Sequence, residues 1–354
     1  MHEPRPPEEG RHGGGRFALG ASTMLLALAG AFFMVPLLFL APVPLAVLVY
    51  REGYRPGTVV AVATLVLVAF AQRSMFADVP AVVSDEALQS YSVATMIALV
   101  TLGLVGMVIG GAWREGASWW QAFWLAFAAA VLPGFAVWAG ALLLQGVDVF
   151  AVSIEYLLEM MRGVVSEAQR GGADAETMRA LQQAVADVEL SFTLMRPLFP
   201  GLISAGALFG AFINTTFAGL ALRRLGDAVP AFPPFARWRW PWTFALGFLA
   251  GHLLVFFGSG DGAAGVIGHN LLIVFNPLFA VQGAAVGWHW LRRGGLGRPL
   301  AVILLVAVYW LAPFVLTWIG ALDTWLNFRR LPRESGDEGG AGNAGGGEAP
   351  PGAV

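Results

Sequence analysis

The chain has 354 residues, 57% of them hydrophobic and only 12% charged, with a mean hydropathy of +0.68 and a net charge of −2. Soluble domains carry about 25% charged residues, so this composition points to lipid, and a near-neutral charge with no basic cluster interleaved with aromatics excludes a nucleic-acid partner. The absence of cysteine excludes disulfides, thiolate metal sites, cysteine-ligated iron–sulfur clusters and thiol catalysis.

Residues 1–16 (Pro, Gly, Glu, Arg) lack the apolar surface needed for order and read as a disordered tail, as does the Gly-rich 334–354. Between them, 17–333 form the membrane domain, with apolar stretches at about 17–35, 37–50, 57–72, 90–112, 117–145, 197–222, 241–258, 264–291 and 298–321. The first is long, lacks a small-residue cleavage pattern and is followed by many more, so it reads as a retained anchor. A spanning helix needs about 20 residues. The second stretch is shorter and holds Pro36, Pro42 and Pro44, so residues 36–50 either cross or re-enter. The predicted fold is an all-α polytopic transmembrane helical bundle of eight or nine segments, one of them re-entrant or crossing, with a helical hairpin on its outer face.

Arginine placement sets orientation. All 21 basic residues are arginines, which reads as a high-GC bacterial coding bias. With the N-terminus cytoplasmic in a bacterial inner membrane, the inner loops collect Arg51, Arg55, Arg114, Arg223, Arg224, Arg237, Arg239, Arg292, Arg293 and Arg298. Nine crossings would put Arg329, Arg330 and Arg333 outside. Either Pro313 breaks the last stretch or an earlier one is re-entrant, and the side of the C-terminus stays open.

The insertion 146–196 reads as the outer hairpin. Its second half carries Met178, Leu181, Val185, Val188, Phe192 and Met195 at steps of three and four, with Asp174 as N-cap and Pro197 as its end. Four segments carry glycines four apart: Gly106/Gly110, Gly206/Gly210, Gly247/Gly251 and Gly283/Gly287. Small residues on one face let helices approach closely in lipid. Asn214 continues the Gly206 ridge, His252 follows Gly251, and His269, Asn276 and Gly283 share one face, with Asn270 about 100° away. Pro277 frees the Ile273 carbonyl. Polar groups in hydrocarbon need partners. His269, Asn276, His252, Asn214 and Asn270 are therefore the candidate ligand-binding residues, while Gln282 reads as a packing residue. Simple interhelical hydrogen bonding explains them about as well.

Gly260–Gly265 has the letters of a dinucleotide fingerprint without a preceding strand, and reads as a loop. His252 and His269 sit on different helices with no third histidine nearby, so neither a metal nor another cofactor is expected, and no serine sits in a nucleophile elbow. Trp119, Trp120, Trp238, Trp240, Trp242 and His289 read as interface residues. In the closing segment, Asp323 would face Asn327 and Arg330 on a continuing helix, with Trp325 and Phe328 anchoring the interface. Asp323, Trp325, Arg329 and Arg330 are candidate docking or coupling residues.

Four features carry a family resemblance. They are the proline-broken run Pro36–Arg51 ending in Arg-Glu-Gly, the helical insertion before Leu198-Phe199-Pro200, the Asn270…Gln282-Gly283 segment, and the closing Gly320…Asp323-Thr-Trp325…Phe328-Arg329. On these the chain resembles the YybS-like bacterial membrane proteins, a family with no assigned function, over most of 17–333. That family is similar in layout to substrate-binding components of energy-coupling-factor vitamin transporters, and more distantly to MreD-like envelope proteins. The leading functional expectation is a non-enzymatic substrate-binding or transport component, in which Asn214, His252, His269, Asn270 and Asn276 hold a small polar ligand at the bilayer midplane and the 146–196 hairpin covers it. The alternative is a non-transporting scaffold for envelope or cell-division machinery, with a membrane-protein partner.

Overall fold

The computed structural model describes residues 12–32, 35–76, 85–146, 148–258 and 262–331. Thirteen α-helices and no strand occur among them. They are α1 (His12–Phe32), α2 (Val35–Leu38), α3 (Pro42–Glu52), α4 (Tyr54–Phe76), α5 (Asp85–Arg114), α6 (Trp119–Gln145), α7 (Val149–Arg170), α8 (Ala175–Met195), α9 (Phe199–Arg224), α10 (Trp242–Phe257), α11 (Ala263–Arg293), α12 (Arg298–Leu311) and α13 (Pro313–Leu326). Residues 12–16, expected in the N-terminal tail, open α1. The remaining tail residues lie outside the described ones.

Five helical runs are long and apolar enough to cross a bilayer: Tyr54–Ser74, Thr95–Arg114, Trp119–Leu144, Ala175–Arg224 and Ala263–Arg293. A sixth is the pair α12–α13, bent by 107°. Ala312 adopts φ −149 and ψ 63 at that break, and Pro313, which cannot continue the hydrogen-bond ladder, starts the second half. Among the described residues the count by length and composition is thus five or six, against the eight or nine apolar stretches of the sequence. The difference lies in short elements: the apolar parts of α1 and α10 have fewer than 18 residues. The 36–50 stretch becomes the four-residue α2 and the eleven-residue α3. Eleven helical residues rise about 16 Å, half of a ~30 Å hydrocarbon core.

The chain divides into two compact units, the first comprising residues up to Pro233 with Leu246–Asn276, the second Pro234–Ala245 with the residues from Pro277 on. In the first unit α3 is the buried centre, with Leu45 to Val49 buried and α1, α4, α5 and α9 packed around it. Prolines occupy its first turn, where a missing N–H costs nothing, and Gly53 (φ 94) ends it by donating to the Val49 carbonyl. α5 lies against α3 through glycines. A Cβ on Gly106 would stand 2.8 Å from the Pro42 oxygen, and one on Gly110 would overlap the Ala46 carbonyl. The ends of α3, α5 and α9 meet in a basic cluster. Arg51 pairs with Asp227 at 2.8 Å and donates to the Leu225 carbonyl, and Arg114 donates to the Tyr50 carbonyl.

α7 and α8 form the expected hairpin. Asp174 caps α8 by accepting from the Glu176 and Thr177 amides, and Arg162 bonds Glu189 across the pair. The Asp174 carboxyl is held below its ordinary range by the Thr177 amide and hydroxyl and by the Glu176 amide. At the hairpin's base, Arg196 reaches Asp148 at 2.9 Å.

In the second unit α11 and α13 cross at glycines. A Cβ on Gly283 would overlap the Leu316 carbonyl, and one on Gly320 the Phe279 carbonyl. In the first unit a Cβ on Gly251 would stand 2.8 Å from the Leu272 side chain, and one on Gly268 2.9 Å from the Gly251 carbonyl. The Gly206/Gly210 pair differs, since a Cβ on Gly206 would meet nothing within 4 Å. That ridge is not a close-packing face.

Candidate functional site

In the first unit, small residues leave room between helices. Ala27 of α1, Ala41 and Pro42 at the start of α3, Ala61 of α4 and Gly103 of α5 help to line a partly open cavity of about 160 Å³, with Thr58, Val62 and Val100 exposed at its edge. Leu45, Val62, Leu65, Leu99, Leu104 and Met107 complete most of the wall, and no lining side chain is charged. Three threonines line it as well, but each hydroxyl is committed to its own helix: Thr23 to the Leu19 carbonyl, Thr58 to that of Tyr54 and Thr64 to that of Val60. The wall therefore offers methyl and methylene groups rather than donors. At one end Val68 packs with Ala27, Ala41 and Leu99 as a buried cluster.

The residues expected to bind a polar ligand lie elsewhere, and none of the five lines the cavity. Three bond the carbonyl four residues back on their own helices, and the buried Oδ1 of Asn214 is left without a partner. His252 Nδ1 contacts the Phe248 carbonyl at 3.0 Å, His269 Nδ1 the Gly265 carbonyl at 2.8 Å, and Asn214 Nδ2 donates to the Gly210 carbonyl at 2.8 Å. Asn270 acts between elements: its Oδ1 accepts from the Gly201 amide at 2.6 Å and its Nδ2 donates to the Pro197 carbonyl at 2.7 Å. It fixes α11 to the start of α9, whose first amides need outside partners. Asn276 is half-buried, and His269 is exposed.

The second unit builds its polar centre from the closing segment. Asp323 and Arg329 are paired at 2.7 Å with both side chains fully buried. Arg329 also donates to the Ala236 and Trp238 carbonyls. Gln282, which sequence reasoning set aside as packing, is fully buried and bridges the Trp240 amide to Asp323. Trp240 Nε1 donates to the Leu278 carbonyl, and Arg239 to that of Thr324. The expected pairing of Asp323 with Arg330 and Asn327 is corrected. The helix stops at Leu326, Asn327 turns left-handed (φ 45), and the chain folds Arg329 back onto Asp323. Asn327 bonds Leu331 instead, while Arg330 and Trp325 are exposed. Trp119, Trp238 and Trp240, expected at the interface, are buried, whereas Trp242 is exposed. A signal for Gln282 was present: it adjoins Gly283, and Asp323 lies one turn past Gly320, the two glycines that bring the helices together.

Among the described residues no group of three His, Asp or Glu side chains could hold a metal. Asp261, which lies between His252 and His269 in the sequence, is outside them. At the hairpin base, burial works to raise the Asp148 carboxyl. The hydrogen bonds from Arg196, the Ala151 amide and the Trp138 indole outweigh it and hold the group below the ordinary aspartate range.

A family described as "Predicted membrane protein (DUF2232)" matches residues 87–324, about two thirds of the chain. No curated protein and no solved structure matches significantly. With its all-helical fold, several apolar helices and this match, the chain belongs to the DUF2232 family of predicted membrane proteins and is a multi-pass protein in contact with the lipid bilayer.

Proposed function

We propose that the protein is a non-enzymatic, lipid-embedded binding component whose site is the apolar cavity of the first unit, occupied by a hydrocarbon chain. The observation that carries this reading is the wall itself, aliphatic and uncharged, with its threonine hydroxyls already bonded. An apolar cavity that offers no free donor or acceptor is suited to a hydrocarbon rather than to a polar group. A polar ligand would leave its own groups unpaired there, at about 1–3 kcal/mol each. The substrate-binding reading is thus kept, but with an apolar ligand in place of a small polar one at the midplane. The YybS-like resemblance is compatible with the family match. The meeting of Arg51, Arg114 and the α9–α10 loop at one end agrees with a basic cytoplasmic face, hence with a bacterial inner membrane and a cytoplasmic N-terminus.

Native mass spectrometry of the protein released from mild detergent tests this. The wild type should retain a chain-bearing adduct that Gly103→Leu loses. The leucine side chain starts 3.8 Å from the Ala61 Cβ and extends into the cavity without backbone conflict. Equal retention in both proteins would overturn the reading.

A second reading, the membrane scaffold, draws on the hairpin. α7 exposes Met160 and Val164, and α8 exposes Leu190 and Leu194, two apolar pairs at i,i+4. Deleting residues 150–194 would then abolish partner capture while leaving chain binding in place. Under the cavity reading alone, capture would not change.

A further inference from the structure

We propose that the chain held in the cavity is a single-chain amphiphile with a neutral hydrogen-bonding head, an alkyl alcohol or alkyl amide, and that Gln72 receives the head. This rests on the cavity reading above. Gln72 is 2% exposed, and both its Oε1 and its Nε2 lack a hydrogen-bond partner. Buried amides are nearly always paired, and leaving one unpaired costs about 1–3 kcal/mol. The side chain is therefore poised for a partner that the protein does not itself supply.

Its position relates it to the cavity. Thr58, Leu65 and Gln72 recur every seven residues on α4 and so share one face, and the first two line the cavity. Seven residues rise about 10.5 Å along the helix, a distance that an extended alkyl chain bridges easily. Between Leu65 and Gln72 stands Val68, packed with Ala27, Ala41 and Leu99, three residues that also line the cavity. These four residues are uncharged and buried, so for a chain in the cavity to reach Gln72 the side chains of Val68 and Leu99 must turn aside, a movement this proposal requires.

The chemistry of the amide selects the head. Gln72 offers both N–H donors and a carbonyl acceptor, so its complement must donate and accept at once, as a hydroxyl or carboxamide does. A carboxylate has no proton for Oε1, and an ammonium has no acceptor for Nε2. Either would also bring a charge beside a cavity wall that holds none.

The test uses the full chain in phosphatidylcholine nanodiscs, labelled with a hexadecanol that carries an aliphatic diazirine. Hexadecanol, hexadecanamide, hexadecanoate and hexadecane compete at equal mole fraction, and peptides of α4 and α5 are read by mass spectrometry. Hexadecanol and hexadecanamide should compete about five- to tenfold better than hexadecane or hexadecanoate, the effect of one net hydrogen bond. In Gln72→Met, a near-isostere, and in Gln72→Leu, that preference should vanish while competition by hexadecane is unchanged. If both variants keep the preference, or the wild type has none, the head assignment is overturned and the cavity reading stands. If Gly103→Leu is labelled on α4 and α5 as strongly as the wild type, the cavity reading itself fails.

Discussion

Arg329 donates to Asp323 across 2.7 Å, and both side chains are completely withdrawn from solvent. Two backbone carbonyls and Gln282 complete the cluster, which ties the Ala236–Trp240 segment to the interior of α11 and to the end of α13. A buried pair is weak evidence of net stabilisation, but removing one partner strands the other charge.

Asp323→Leu should therefore destabilise the protein by about 3–5 kcal/mol, and Arg329→Met similarly. The double variant should be markedly less destabilised than the sum, because no uncompensated charge remains. Unfolding in detergent, followed through all four corners of the cycle, checks this. Additive losses would show that the two residues act separately.

Asn270 should matter more than either histidine. Asn270→Leu loses the bonds to Gly201 and Pro197 and leaves a buried helix-start amide unpaired, at about 1–3 kcal/mol. His252→Ala and His269→Ala each remove a contact to the residue's own helix, and should cost less. Thermal denaturation of the three variants gives the ranking. A loss in His269→Ala as large as in Asn270→Leu would contradict it.

The sequence made local features legible and left distant partners hidden. Asp174 as an N-cap, the α7–α8 hairpin and the break at Pro313 follow from neighbours within a few residues, and all three are present. The Asp323 partner was misread because a continuing helix puts Arg330 on its face, whereas the left-handed turn at Asn327 redirects Arg329. Asparagine tolerates that conformation, so the turn left a faint trace. The cavity had no motif at all. It arises where small residues from α1, α3, α4 and α5 meet, a coincidence of four segments that no periodicity within one of them reports.

Glycine substitutions should separate close-packed from open faces. Gly320→Ala and Gly283→Ala place a Cβ on backbone atoms of the facing helix and should abolish or severely weaken folding of the second unit. Gly206→Ala meets open space and should be neutral or stabilise by up to about 1 kcal/mol through helix propensity. Yield and thermal stability of the three variants decide, and equal behaviour would refute the crossing.

The hairpin base should respond to acid. Because the folded-state carboxyl of Asp148 lies below its unfolded value, its stabilisation is fully present above the ordinary aspartate pKa of about 3.9. It is lost as pH falls through the lower folded value. Spin labels on α8 and α9 should show a narrow distance distribution at about pH 6 that broadens below about pH 4. Arg196→Gln should broaden it at both values, and a pH-independent distribution in the wild type would contradict the clamp.

On the proposed reading a hydrocarbon chain occupies the cavity between α1, α3, α4 and α5. Photolabelling with a diazirine-bearing alkane, comparing wild type with Gly103→Leu, addresses it most directly. The Thr58–Leu65 and Leu99–Met107 peptides should be strongly labelled in the wild type. In the variant their labelling should fall to the level found at the exposed Leu143 and Leu144 of α6. Labelling of those peptides that never exceeds the α6 level, or that survives Gly103→Leu undiminished, would contradict it.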